Sequence, residues 1–235
     1  MLETSLDDKR IIVTGGASGI GAATAALLAK AGATPIIIDR TDIGVPDSYA
    51  ADITDETALR AIFEDILAHG QIDGLVTCAG ITMDGFITDM TPDQFRKVID
   101  VNLVGTFLAM KLTAESMIAR SIAGGMVTIS SLSAAGNKGQ ANYSASKAGV
   151  IALTATAAQE WGRFGIRVNT ILPGPVETPM LGTVPDKVTA AWIKGTPLGR
   201  IAQPDDIASA VAFLMSDAAS HITGQQLPVS GGLRF

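Results

Sequence analysis

The sequence predicts an α/β fold, a doubly wound parallel sheet with helices on both faces. Short apolar runs rich in Ile and Val recur along the chain with helical patterns between most of them, the alternation that a parallel sheet with crossover helices produces. Glycines at 15, 19 and 21 stand between the first such run and the first alanine-rich helical pattern. Apolar residues make up 47% of the chain and charged residues only 17%, which fits a sheet buried on both faces and further burial between subunits.

The first strand is predicted at 10–14, where Ile11, Ile12 and Val13 form a β-branched run suited to burial on both sides. The glycine turn and a helix follow, and the next strand, 35–39, ends on Asp39. Residues 40–48 contain Gly44 and Pro46 and leave little room for a helix. That crossover is predicted to have lost or shortened its helix, leaving one sheet face bare or covered by a neighbour. Further strands are predicted at 48–51, 73–77, 125–130, 166–172 and 226–229. Segment 144–164 reads as a long helix whose Ala145, Ala148, Gly149, Ala152, Ala155 and Ala158 let another helix approach closely, within the subunit or across an interface. With no long repeat, low-complexity tract or linker, residues 1–235 are read as one domain.

Bulk properties exclude several classes of function. A net charge of −6 argues against a nucleic-acid partner and permits an acidic carrier only through a local basic patch. No apolar run reaches membrane-spanning length, because Lys30 and Asp39 interrupt the richest region. The first eight residues lack a signal-peptide core, so the expected location is cytoplasmic. One cysteine, Cys78, excludes an internal disulfide framework, and His69 and His221 with no cysteine nearby argue against a metal site.

The chemistry is carried by two motifs. Tyr143 and Lys147 stand four residues apart, on one face of any helix that holds them. A phenol is a poor base near neutrality, and an adjacent ammonium favours its ionised form, so the pair can move a proton. Alone, this spacing is common on surface helices. The glycine run GGASGIG at 15–21, with a strand before it and a helix after it, lets the backbone turn tightly and approach a pyrophosphate at a helix N-terminus. About twenty residues on, Asp39 can accept hydrogen bonds from both hydroxyls of a ribose and would repel a 2′-phosphate. Arg40 could instead pair with that phosphate. The expected cofactor is NAD, with NADP possible through Arg40.

These motifs, with Asp52-Ile53, Cys78-Ala79-Gly80, Asn102, Ser130-Ser131 and Pro173-Gly174 in that order and spacing, resemble the short-chain dehydrogenase/reductase family, nearest its 3-oxoacyl-(acyl carrier protein) reductase-like group. The resemblance implies a Rossmann-type fold and runs from about residue 7 to the end of the chain. It implies that Gly15, Ser18, Gly19, Ile20 and Gly21 line the cofactor pyrophosphate, that Asp52 takes the adenine amino group with Ile53 beside it, and that Cys78, Ala79 and Gly80 lie by the adenosine. Cys78 departs from the family's usual Asn there. In the loop opened by Pro173 and Gly174, the Val176 backbone and the Thr178 hydroxyl would bind the carboxamide.

By the same resemblance Tyr143 is the acid/base and Lys147 lowers its pKa and binds the nicotinamide ribose, while Asn102 holds a water that links Lys147 to solvent. A serine would steady the substrate oxygen. The family's usual thirteen-residue spacing falls on Ser130, whereas alignment of the strand gives Ser131, which is preferred because a shortening is more easily absorbed in the 134–136 loop than in a buried strand.

The substrate cover, 181–197, is short and similar in text to the 3-oxoacyl reductases, as is segment 136–142. The expected reaction is NAD-dependent hydride transfer between a secondary alcohol and a ketone, on a 3-oxoacyl/3-hydroxyacyl thioester, with a free polyol, steroid or cyclic alcohol as the alternative. A non-catalytic dinucleotide-binding module is the third reading, disfavoured by the complete acid/base set. Family resemblance further implies a homotetramer.

Overall fold

The computed structural model describes residues 5–234; the first four residues, part of the stretch read for a leader, and Phe235 lie outside the described residues. Seven parallel strands form one sheet in the order β3-β2-β1-β4-β5-β6-β7, where β1 is Arg10–Thr14, β2 Thr34–Asp39, β3 Ser48–Ala50, β4 Gly74–Thr77, β5 Gly124–Ile129, β6 Ile166–Pro173 and β7 Gln226–Val229. The predicted strands agree with these to within about a residue at each end. Asp73 falls just outside β4, and its carboxylate accepts the Arg10 N–H at 2.9 Å.

Side-chain alternation divides the core in two. Ile12, Ile36, Ile38, Leu75 and Met126 point to the face covered by α2 (Glu56–Ala68) and α4 (Gly105–Ala119), where they meet Leu59, Phe63, Met110 and Met117. Ile11, Val13, Val76, Val127 and Ile171 point the other way, to α1 (Gly19–Lys30) and α7 (Pro204–Met215), against Leu28, Ile207 and Val211. Burial of Ile11, Ile12 and Val13 to within 1% of complete explains why β1 reads as a continuous apolar run rather than an alternating one.

No helix joins β2 to β3, as the sequence predicts. Ile37, which points to that uncovered side, is only half-buried, and Val45 in the connection is 47% exposed. Part of the missing cover comes from the glycine turn, since a Cβ on Gly16 would lie 2.8 Å from Ile37 Cγ2.

Because β1 connects outward to β2 while the chain later returns to β4 on the other side of β1, a crevice opens at the C-terminal ends of these two strands. One wall of it is α5 (Ala141–Trp161), which carries Tyr143 and Lys147. Behind it, α3 (Pro92–Ile99), started by a capping box of Thr91 and Gln94, runs into α4 through a π-helical turn at Asp100–Val104. A short helix, α6 (Asp186–Gly195), lies over the crevice mouth.

Candidate active site

The crevice is a cavity of about 460 Å³, and every site residue expected from the sequence lines it except Asn102. At the nucleotide end the backbone itself makes the wall. Gly15 has φ +70°, and a Cβ there would stand 2.5 Å from the Ala79 nitrogen. Gly19, at φ +53°, opens α1, with the Thr178 methyl 3.2 Å from its Cβ position. Ser18 caps α1 without a side-chain hydrogen bond, and the first turn holds no acidic residue. Free amides, a positive helix end and a close backbone approach together fit a dinucleotide pyrophosphate.

Beyond the pyrophosphate position, Asp39 is fixed by two backbone donors, Ala17 N–H to Oδ2 at 3.1 Å and Thr41 N–H to Oδ1 at 3.0 Å. Each oxygen keeps a lone pair for a ribose hydroxyl. Arg40 is exposed beside it and lines the same cavity. Asp52 Oδ1 accepts the Thr54 N–H at 2.9 Å and its hydroxyl at 2.7 Å. Those two bonds, backbone first, hold the Asp52 carboxyl below its ordinary range against the opposing effect of burial. Ile53 is buried, so close to α4 that a Cβ on Gly105 would reach its Cδ1 at 2.5 Å. Burial pushes the Cys78 thiol up to about 12, which keeps it protonated and non-nucleophilic at neutral pH.

At the other end of the cavity Tyr143, Ser131 and Lys147 converge. Burial pushes the Tyr143 phenol up to about 12; Ser131 beside it works in the opposite direction and the Asp84 carboxylate adds to the rise. Lys147 is 5% exposed, and burial brings its ammonium down to about 8. Its Nζ donates to the Ile129 carbonyl at 2.8 Å and lies 5.6 Å from the centroid of the Tyr143 ring. Burial sets the direction at Tyr143, and Lys147 is not among the causes of its shift in the protein alone.

The two serines part company at the end of β5. Ser130 is buried and donates to the Lys147 carbonyl at 2.8 Å, whereas Ser131 turns to the cavity beside Tyr143 and accepts the Ser133 N–H at 3.1 Å. Asn102 stands behind the cavity lining. Its side chain is completely buried, accepting the Ile81 N–H at 2.8 Å and donating to the Ile81 carbonyl at 3.0 Å and to Ser146 Oγ at 3.1 Å. The amide fastens the loop after β4 onto α5, and the Asn102 carbonyl accepts the Thr106 hydroxyl at 2.8 Å.

Val176, buried, and Ala202 form a parallel bridge that holds the 173–180 loop, and Thr178 faces α1 across the crevice. Asp84 and Gln140 were not anticipated as site residues. Both line the cavity, and Gln140 Nε2 donates to the two Asp84 oxygens at 3.2 and 3.0 Å. Asn142 was likewise missed: its Oδ1 accepts the Tyr143 N–H at 2.7 Å and its Nδ2 donates to the Met83 carbonyl at 2.9 Å. A polar residue directly before the tyrosine at a helix start was the available signal. Among the described residues no cluster of His, Cys, Asp and Glu could hold a metal ion, and no helix is long and apolar enough to cross a membrane.

Comparison with known proteins agrees with this geometry. The family model described as enoyl-(acyl carrier protein) reductase matches residues 15–234. The human (3R)-3-hydroxyacyl-CoA dehydrogenase is 40% identical over 255 aligned positions, covering 99% of this chain and 98% of the relative. An acetoacetyl-CoA reductase from a Synechocystis species is 41% identical and covers 98% of each. Among solved structures, the aldohexose dehydrogenase of Thermoplasma acidophilum superposes with a TM-score of 0.91 at 37% identity, over 97% of this chain and 94% of that one. These relatives are enzymes, which removes the reading as a non-catalytic module. The chain belongs to the short-chain dehydrogenase/reductase family, as an NAD(P)-linked oxidoreductase that works between secondary alcohols and ketones.

Proposed function

We propose that this enzyme interconverts 3-oxoacyl and 3-hydroxyacyl thioesters with NAD(H). The observation that carries the reading is the convergence of Ser131, Tyr143 and Lys147 on a cavity whose far end presents the fixed Asp39 carboxylate. The relatives named for hydroxyacyl-CoA and acetoacetyl-CoA support the substrate class. The glycine turn, Asp39, Asp52 and Thr178 would hold the dinucleotide, which supplies or accepts a hydride at its nicotinamide ring.

The remaining work falls to the chain. The hydroxyls of Ser131 and Tyr143 hold the substrate oxygen and steady the charge it gains. Tyr143 delivers its proton to that oxygen in reduction and takes it back in oxidation. Lys147 keeps donors free beyond the one given to Ile129, and these serve the nicotinamide ribose and the proton's exit to solvent. Ser130 is assigned a supporting role, since its hydroxyl is spent on the Lys147 carbonyl.

The test is acetoacetyl-CoA reduction with NADH and NADPH in parallel, with Tyr143→Phe as control. Turnover with NADH that depends on Tyr143 supports both substrate and cofactor. Preference for NADPH transfers the 2′-position to Arg40. Failure with either coenzyme, while dinucleotide still binds, moves the reading to a free secondary alcohol, for which the likeness to an aldohexose dehydrogenase speaks.

Self-association belongs to the same reading. Ala145, Ala148 and Ala152 are exposed on α5, and Val104 and Phe107 at the start of α4 are 40% and 45% exposed, an apolar surface that a second copy would cover, with a tetramer expected. Gly149 faces inward instead, where a Cβ would stand 2.7 Å from Leu103 Cδ2. A solution mass equal to one chain at working concentration would refute assembly.

A further inference from the structure

We propose that Asp84 is a charge selector at the substrate end of the crevice: it admits 3-oxoacyl groups presented as a neutral ester or thioester and turns away free 3-oxo acids. The inference rests on the function proposed above. Asp84 lies in the loop after β4 and lines the same cavity as Tyr143 and Ser131, whereas the other two carboxylates there, Asp39 and Asp52, belong to the nucleotide end.

Its position is fixed relative to the catalytic tyrosine. Next to it, the Gly85 N–H donates to the Gly139 carbonyl at 2.8 Å, and Gly85 bridges Gln140. On the other side, the Met83 carbonyl accepts Asn142 Nδ2, the same side chain that takes the Tyr143 N–H. Gln140 holds both Asp84 oxygens and is itself held by Asn137, whose Nδ2 donates to its carbonyl at 2.9 Å.

The clamp on Asp84 is a neutral amide, which orients the carboxylate and leaves its charge uncancelled. Among the described residues no Lys, Arg or His lies within 4.0 Å of Asp84 to form an ion pair. Lys138, near in sequence, rests instead over the Phe86 ring at 5.5 Å. Asp84 is exposed where it lines the cavity, so solvent and salt screen its charge, and burial rather than Asp84 is the main cause that holds the Tyr143 phenol high. When a 3-oxo acid places its ketone oxygen on Tyr143 and Ser131, its own carboxylate follows two bonds from the reacting carbon and is opposed by Asp84, while the Lys147 ammonium lies on the Tyr143 side. A thioester or ester offers no charge there.

The experiment compares kcat/KM for acetoacetate and methyl acetoacetate, which share a skeleton and differ in charge, with acetoacetyl-CoA as reference. Wild type, Asp84→Asn and Asp84→Glu are measured at low ionic strength. The wild type is expected to prefer the ester, Asp84→Asn to raise the acetoacetate-to-ester ratio tenfold or more, and Asp84→Glu to keep the wild-type ratio. Equal use of acid and ester by the wild type, or an unchanged ratio in Asp84→Asn, overturns the inference while leaving the thioester reading intact. No turnover of any of the three compounds, with dinucleotide still bound, overturns both.

Discussion

Around the nucleotide end of the crevice a single added methyl group has nowhere to go, because the Cβ position of Gly15 meets Ala79 atoms at 2.5 and 2.6 Å. Around the substrate end the same probe at Gly85 or Gly182 meets nothing within 4 Å. Under the proposed function the first region would meet a phosphate with backbone amides, and its sequence has little latitude. The second is lined by side chains, Asp84, Gln140 and Trp192 among them, that can be rewritten without disturbing the sheet behind it.

Gly15→Ala attacks the contrast where it is greatest. Backbone strain at a positive φ and overlap with Ala79 should together cost roughly 3–5 kcal/mol, seen as a lower Tm and lost dinucleotide affinity. Gly85→Ala, in open space, should leave Tm almost unchanged. Equal losses at the two sites would break the comparison.

The serines sharpen it at the boundary between the regions. Ser131→Ala should lower kcat by about 10²–10³-fold with little change in stability. Ser130→Ala should leave kcat within a few-fold and lower stability by about 1–3 kcal/mol, because the Lys147 carbonyl loses a buried donor. Reversal of the two phenotypes would put Ser130 at the substrate.

A smaller effect follows from pH. The unfolded chain keeps the Lys147 proton up to its ordinary 10.5, and the folded chain only up to about 8. Between those values the unfolded state binds more protons, so folding stability rises with pH, by on the order of 2–3 kcal/mol. Urea unfolding of wild type and Lys147→Met across that window checks this; the rise should be absent from the variant. Above pH 10 the raised Tyr143 and Tyr49 phenols, each at about 12 in the folded protein, reverse the trend as the unfolded state loses its protons first.

Smallest is the coenzyme effect. Asp39→Asn should shift the NADPH-to-NADH ratio of kcat/KM upward by about tenfold, as Arg40 is left without a competing charge at the ribose. No shift would mean that Asp39 serves mainly to tie Ala17 and Thr41.

What could be read in the sequence was local. The β-branched run of β1, the glycines of the turn, the distance to Asp39 and the helical spacing of Tyr143 and Lys147 are all set by neighbours along the chain. Gly44 and Pro46 likewise marked the missing helix between β2 and β3. The unread features depend on contacts between distant segments. Asn102 finds Ile81 21 residues away and Ser146 44 away, and Gln140 reaches Asp84 across 56. The upward shift of Tyr143 is a burial effect, and burial is not written at positions 143 and 147 themselves.

The outer strands decide how readily a further strand could add to the sheet. β3 contributes only three residues to its rim of the sheet, and the opposite rim, β7, carries Pro228, which has no N–H to offer. Neither rim is a good template for adding a strand from another chain, so the continuous sheet is protected from edge-to-edge growth.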